Sequence, residues 1–376
     1  MTLTLSATGI TVGFTPEGGT LYPLTVTDDG AVVSPLHAAP WVAVEVPADA
    51  PPHQRWLRGD FLAAPMGAGP DGLHGLAANG TWMPLPSAPG TLRALLQGHV
   101  QGATLLKELS VSDGHPFLYQ RHLFIGGSGR LPVSNHAMIS VPNGAKLSFS
   151  RKRWFETLAD PLEPDPARGR SALAYPRRHE DPTEFPGSDG AEVNLLRYPW
   201  GEANEDFVAA VEDPASALGW SAVVRPDTGD LVLSLKNPAA LPMTMLWHSN
   251  GGRDYAPWNG RHRGCLGLEE GAALPVLGLS AAETPDPLAA AGQPGWVTLN
   301  PEGTVEVRHV IGAIRWPSGQ AVAGVMLEDD ILTVTGDWGA ERRLPFRGGW
   351  LRPGQTAGIA EAGQKAPASR IIDPDW

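Results

Sequence analysis

Glycine and proline recur so often along this chain that a long helix has no room to form. There are 45 glycines and 37 prolines in 376 residues, roughly a fifth of the total and nearly twice ordinary usage. Proline removes a backbone donor and fixes φ, while glycine favours turns, so each break limits an element to a short run. Between the breaks, apolar and polar residues alternate at positions 2–6, 10–14, 21–26 and 41–46 (WVAVEV). That period of two belongs to half-buried strands. The hydrophobic fraction of 42% is ordinary for a folded chain. The expected class is all-β and antiparallel.

The same signals organise the rest of the chain. Residues 104–125 read as a hairpin turning at Asp113-Gly114, a pair that supplies the positive φ of a tight turn. A meander covers residues 207–248. Residues 296–299 pair with 304–311, and 322–327 pair with 331–335 through Asp329-Asp330. Helical character is confined to one turn at 287–291, capped by Asp286 and stopped by Gly292. No fixed-period repeat occurs. Two stretches, 161–189 and 251–264, read as long loops of the kind that line a site. No linker divides the chain. The expected organisation is one β domain over residues 1–317 and a C-terminal extension, 318–376, made of an extra hairpin and a tail packed on the same domain.

Charge and composition exclude several function classes. The net charge is −12 and there is no basic run or stripe, which argues against nucleic acid or an anionic membrane as partner. Gly or Pro interrupts every apolar stretch before it reaches membrane-spanning length. Cys265 is the single cysteine, so it reads as a small buried hydrophobe and no disulfide framework exists within the chain. The opening residues MTLTL lack the basic and apolar regions of a secretory signal, so the expected location is cytoplasmic. HExxH, paired CxxC, the P-loop, the dinucleotide fingerprint and GxSxG are all missing. Neither a cofactor nor a metal is therefore expected.

Four segments place charged or imidazole groups among apolar and glycine residues: RGDFLAAP from Arg58, LHGLAANGTW from Leu73, SNHAMIS from Ser134 and CLGLEE from Cys265. In order and spacing they resemble the motifs of the galactose mutarotase-like superfamily, which holds the aldose 1-epimerases and hexose-6-phosphate 1-epimerases. The resemblance spans about residues 1–312 and implies an antiparallel β supersandwich. Departures accompany it. Ala77, Ala78 and Asn79 replace the aromatic and Arg of the phosphate-sugar branch, Ala137-Met138 follows His136, and Glu270 follows Glu269.

Interconverting the anomers of an aldose takes a proton off the C1 hydroxyl and puts one on the ring oxygen, so an acid and a base must face the sugar together. The resemblance implies Glu269 as base, His136 as acid, His74 as a hydrogen-bonding partner of the C1 or ring oxygen, and Arg58 as a fork of donors to hydroxyls. Arg58 has a second reading, an ion pair with Asp60 or another carboxylate. Trp82 and Trp258 are either stacking surfaces for a sugar or core residues. His248 and Arg253, within a polar and aromatic stretch from Trp247 to Asn259, complete the candidates. The implied partner is a monosaccharide or related sugar, and a non-catalytic carbohydrate-binding protein is the alternative. Strand alternation sends Glu270 to the face opposite Glu269, so Glu270→Gln is expected to be nearly silent in anomer interconversion, an internal control for Glu269→Gln.

Overall fold

The structure is a computed structural model that describes residues 2–273, 285–286, 288–317 and 319–352. Among these residues the chain forms two large antiparallel sheets, of eleven and nine strands. The first runs from Leu3–Ala7 at one edge, through Asp60–Ala63, Val133–Ser140, Cys265–Ala272, Met243–Asn250 and Asn204–Glu212, to Arg178–His179 at the other. The second has Asp230–Lys236, Thr304–Arg315 and Phe117–Gly126 at its centre. Phe14, Leu62, Leu246 and Leu268 of the first sheet pack on Leu105, Phe124, Val232 and Ile311 of the second. This is the supersandwich expected from the sequence.

Strand alternation fixes what lies on the far side of the first sheet. Leu266, Leu268, Leu246 and Val208 face the second sheet. Their neighbours Cys265, Met245, Trp247 and Phe207 face the other way, into a separate cluster roofed by loops and closed by Trp41 and Trp258. The central strands are thus buried on both faces. Loops at 41–57, 158–162 and 251–264 therefore cover a sheet face that would otherwise meet water. A pocket opens between that face and its roof.

Four sequence expectations need correction or extension. Residues 41–46 form no strand: Ala43–Glu45 is a 3₁₀ turn, because Glu45 accepts the Val42 N–H at 2.8 Å and pairs with Arg261 at 2.6 Å. Val44 is 91% exposed and Trp41 packs edge-on against Trp258, so the alternation there has no sheet to serve. The short helix Gly75–Asn79 lies outside the one helical turn expected. A third strand, Glu341–Pro345, joins Val322–Glu328 and Ile331–Gly336, and Leu332, Val334 and Phe346 cover the outer face of the second sheet against Trp220 and Leu233. The turn expected at 287–291 is a 3₁₀ turn, Ala289–Ala291, with Asp286 accepting the Leu288 N–H at 2.9 Å; Pro287 and the tail from 353 lie outside the described residues.

Candidate functional site

His136 and Glu269 are directly opposed residues of neighbouring strands, and their side chains leave the sheet on the loop-covered face. His136 Nε2 lies 3.1 Å from Glu269 Oε1. The angle is off that of a hydrogen bond, and both Glu269 oxygens are buried without a hydrogen-bond partner. Gly267 makes this arrangement possible: a Cβ there would stand 2.7 Å from Trp247 Cβ and 2.8 Å from Glu269 Oε1. Phe61, on the third strand of the group, stacks on His136 with centroids 4.5 Å apart and fixes the ring.

His74 arrives from a turn that only a special backbone allows. It has φ +67° and Gly75 has φ +66°, both left-handed. For Gly75 the reason is steric, since a Cβ would sit 2.3 Å from Ala64 O. A His held there is uncommon and costs of order 1 kcal/mol or more, a cost often found at functional positions. Its ring lies 5.2 Å from His136 and 5.1 Å from His53. His53 is in turn fixed by Asn79, whose Oδ1 accepts the His53 N–H at 2.9 Å and lies 3.3 Å from the ring Nδ1.

These groups open into a small cleft of about 130 Å³. His53, His74, His136 and Glu269 form its polar floor, and Trp247, Trp258 and Phe207 its aromatic wall. Arg253 stands at the rim, 3.4 Å from Glu205 and 4.6 Å above the Trp258 ring. The two long loops contribute Leu162, Arg253 and Trp258.

Burial sets the protonation of the floor. It pushes Glu269 well above the usual carboxylate range, with no opposing cation among the described residues. It lowers His136 to about 3, aided by His53. His53 falls to about 4, and His74 well below its ordinary value through burial and the two neighbouring imidazoles. Burial therefore favours the neutral form of each of these groups. Such a floor can exchange protons with a bound hydroxyl without stranding a bare charge.

Of the eight residues named from sequence, His74, His136, Glu269, Arg253 and Trp258 come together and three stand elsewhere. Arg58 turns away because Gly59, at φ +69°, redirects the chain before the strand begins. Its guanidinium donates to Thr15 Oγ1 at 3.3 Å and lies over Tyr22. Neither the sugar-binding fork nor the Asp60 ion pair describes it, for Asp60 accepts a hydrogen bond from Gln120 instead. Trp82 is core, with its N–H donated to Ala77 O at 2.9 Å and the Lys107 ammonium 4.9 Å from its ring. His248 points between the sheets, stacked on Trp200 and accepting its backbone N–H at 3.1 Å. Alternation gives the cavity Trp247 in its place. His53 and Phe207 were missed. The adjacent Trp247-His248 pair did carry a signal, since alternation allows only one of the two to face the cavity.

One other cluster, His37, His262 and Cys265, could hold a metal; it lies behind the aromatic wall, not on the floor.

No family model matches this sequence, and no curated protein matches it. Solved structures do. A candidate aldose 1-epimerase from Escherichia coli K12 superposes with a TM-score of 0.55 at 13% identity, covering 83% of this chain and 98% of that one. A galactose mutarotase related enzyme from Lactobacillus acidophilus gives 0.52 at 12% identity, covering 83% and 97%. A protein from Synechocystis gives 0.52 at 14% identity, covering 84% and 96%. The fold is therefore that of the galactose mutarotase-like β-sandwiches, in a divergent form.

Proposed function

We propose that this chain is an aldose 1-epimerase-type isomerase, opening and reclosing an aldose ring in the cleft by acid–base exchange through His136 and Glu269. One observation carries the reading: an unpartnered buried carboxyl group stands 3.1 Å from an imidazole on the polar floor of an aromatic-walled cleft. Burying a carboxyl without partners is costly, and a substrate hydroxyl supplies what it lacks. The pair holds one proton. With the proton on His136, Glu269 takes the C1 hydroxyl proton while His136 protonates the ring oxygen. The ring opens, C1–C2 rotates, and both transfers reverse on the other face. His74, whose Nδ1 is buried and unpaired, holds the C1 or ring oxygen. Trp258 and Trp247 offer apolar faces to the sugar's C–H surface.

Before a sugar binds, the proton favours Glu269. Sugar hydroxyls donating to the carboxylate draw the proton across the short contact to His136, which forms the reactive ion pair. The pH dependence follows from the pair and not from either member alone. A single proton remains on it from about pH 3, where the imidazole would gain a second, up to the raised value of Glu269. The rate should therefore stay flat through the ordinary carboxylate value, ~4.3, and fall at high pH as Glu269 loses its proton at its raised value. A half-maximal point near the ordinary carboxylate value would contradict this protonation scheme.

Polarimetry on freshly dissolved α-glucose and α-galactose tests the function itself, with spontaneous mutarotation subtracted. At least one aldose should be accelerated. A sugar that binds, quenching Trp247 and Trp258 fluorescence, yet turns over at the buffer rate would establish the carbohydrate-binding alternative.

A further inference from the structure

Behind the aromatic wall, three side chains meet whose chemistry the proposed reaction leaves unused. One ring nitrogen each of His37 and His262 and the sulfur of Cys265 lie within 4.8 Å of one another. His262 and Cys265 are buried and His37 is half-buried. His37 Nε2 and His262 Nε2 are both enclosed without a hydrogen-bond partner, a situation that calls for a ligand or an explanation.

The surroundings fix which nitrogen of His262 is free. Its Nδ1 lies 2.7 Å from Ser249 Oγ, and Ser249 donates its one hydroxyl proton to Glu205 Oε2 at 3.0 Å. Nδ1–H must then be the donor to Ser249, which leaves the lone pair on Nε2. An imidazole tied through its far nitrogen to a polar chain ending on a carboxylate is the outer-shell arrangement that orients histidine ligands. The Glu205 carboxylate is itself held by Trp247 Nε1 at 2.7 Å. The His37 backbone is also fixed, its N–H donated to Met138 O and its carbonyl accepting from Gly59, both at 2.8 Å.

We propose that His37, His262 and Cys265 form a zinc-type metal site with an open fourth position. Two imidazoles and one thiolate suit Zn²⁺ and its spectroscopic substitute Co²⁺. Bonds of about 2.0–2.3 Å in a tetrahedron place ligand atoms about 3.3–3.6 Å apart, so the three donors must close by about 1 Å, and half-buried His37 has the most freedom to move. On binding, the thiol proton leaves to solvent and the sulfur bonds to the ion, with no change of oxidation state. His37 lies far along the chain from His262 and Cys265, so the sequence shows no ligand spacing for these three. Trp247 stacks on the His262 ring and Trp258 meets it edge-on, so a bound ion braces the cleft's wall. The site stands whether or not the cleft turns over a sugar.

Titration of the full chain with Co²⁺ tests it. The expected result is one equivalent bound, with intense visible bands of a tetrahedral ion, a near-ultraviolet thiolate-to-cobalt band, and displacement by Zn²⁺. Cys265→Ser should abolish the thiolate band, and Ser249→Ala should weaken binding about 10–100-fold by freeing the His262 tautomer. Far-ultraviolet circular dichroism checks that each variant folds; should Cys265→Ser not fold, His37→Gln at the edge of the cluster tests the same site through loss of tight binding. Failure of the folded wild type to bind cobalt, or a thiolate band persisting without Cys265, overturns the proposal.

Discussion

Replacing Glu269 by Gln lowers anomer interconversion by about 10²–10⁴-fold, the usual contribution of one positioned acid–base group, without weakening the fold. The amide fills the same volume beside His136 but cannot take the C1 hydroxyl proton. Its stability effect has the opposite sign from its catalytic one. Burial holds the Glu269 proton more tightly in the folded chain than in the unfolded one. That preference favours folding fully below the ordinary carboxylate pKa and is lost as pH rises through the raised value. A neutral Gln carries no such loss, so the variant's urea midpoint should equal or exceed wild type, with a gap that widens as pH rises. Sugar affinity changes little, which separates a lost proton transfer from a lost site. A variant that stays active removes Glu269 from the chemistry.

Glu270→Gln is expected to do the reverse, damaging the fold more than the reaction. Glu270 faces the space between the two sheets, fully buried. There it pairs with Lys236, accepts from Ser221 at 2.7 Å, Thr244 at 2.8 Å and Ser234 at 3.1 Å, and belongs to a cluster with Glu212 and Lys152. Burial alone would raise its pKa, but Lys236 and Lys152 hold it down to about 2. Neutralising one member of a buried pair leaves its partner short of countercharge and costs about 3–5 kcal/mol. Lys236 retains Glu212 at 3.0 Å, which places the loss near the lower figure. Alternation correctly sent this side chain to the other face, and that face is a second interior, so the cost of the substitution falls on stability and not on anomer interconversion. Glu270 supplies its stabilisation above the ordinary carboxylate pKa and loses it as pH falls toward about 2. Denaturant melts at neutral and acid pH should show wild type and variant converging in acid. Equal midpoints at neutral pH would contradict the buried ion pair.

These two neighbours show what the sequence could and could not reveal. The period of two and the density of turns were enough to read the sheets, and the ordered His-Gly, Asn-His and Gly-x-Glu segments brought His74, His136 and Glu269 to one floor. Register decided the rest. Which of Trp247 and His248 meets the cavity depends on pairing with strands far away in the chain, and a polar side chain looks the same in sequence whichever face it takes. Arg58 failed for a local reason, since the turn at Gly59 carries it to Thr15 and Tyr22. His53 was invisible because its position depends on Asn79, and the His37–His262–Cys265 cluster because its members meet only when a loop folds over the sheet. Residues 41–46 alternated like a strand but had no partner to pair with.

If the cleft works as proposed, it takes the proton from an aldose's C1 hydroxyl and delivers one to its ring oxygen, opening the ring so that it can reclose as the other anomer. Magnetisation exchange between the two anomeric protons of an aldose at equilibrium measures that event alone, without net reaction and without a coupled enzyme. Cross-peaks between the α and β signals are expected for at least one aldose, growing in proportion to protein concentration and absent with Glu269→Gln. Exchange no faster than in buffer across glucose, galactose and their common epimers, with folded wild-type protein, would contradict the proposed isomerase.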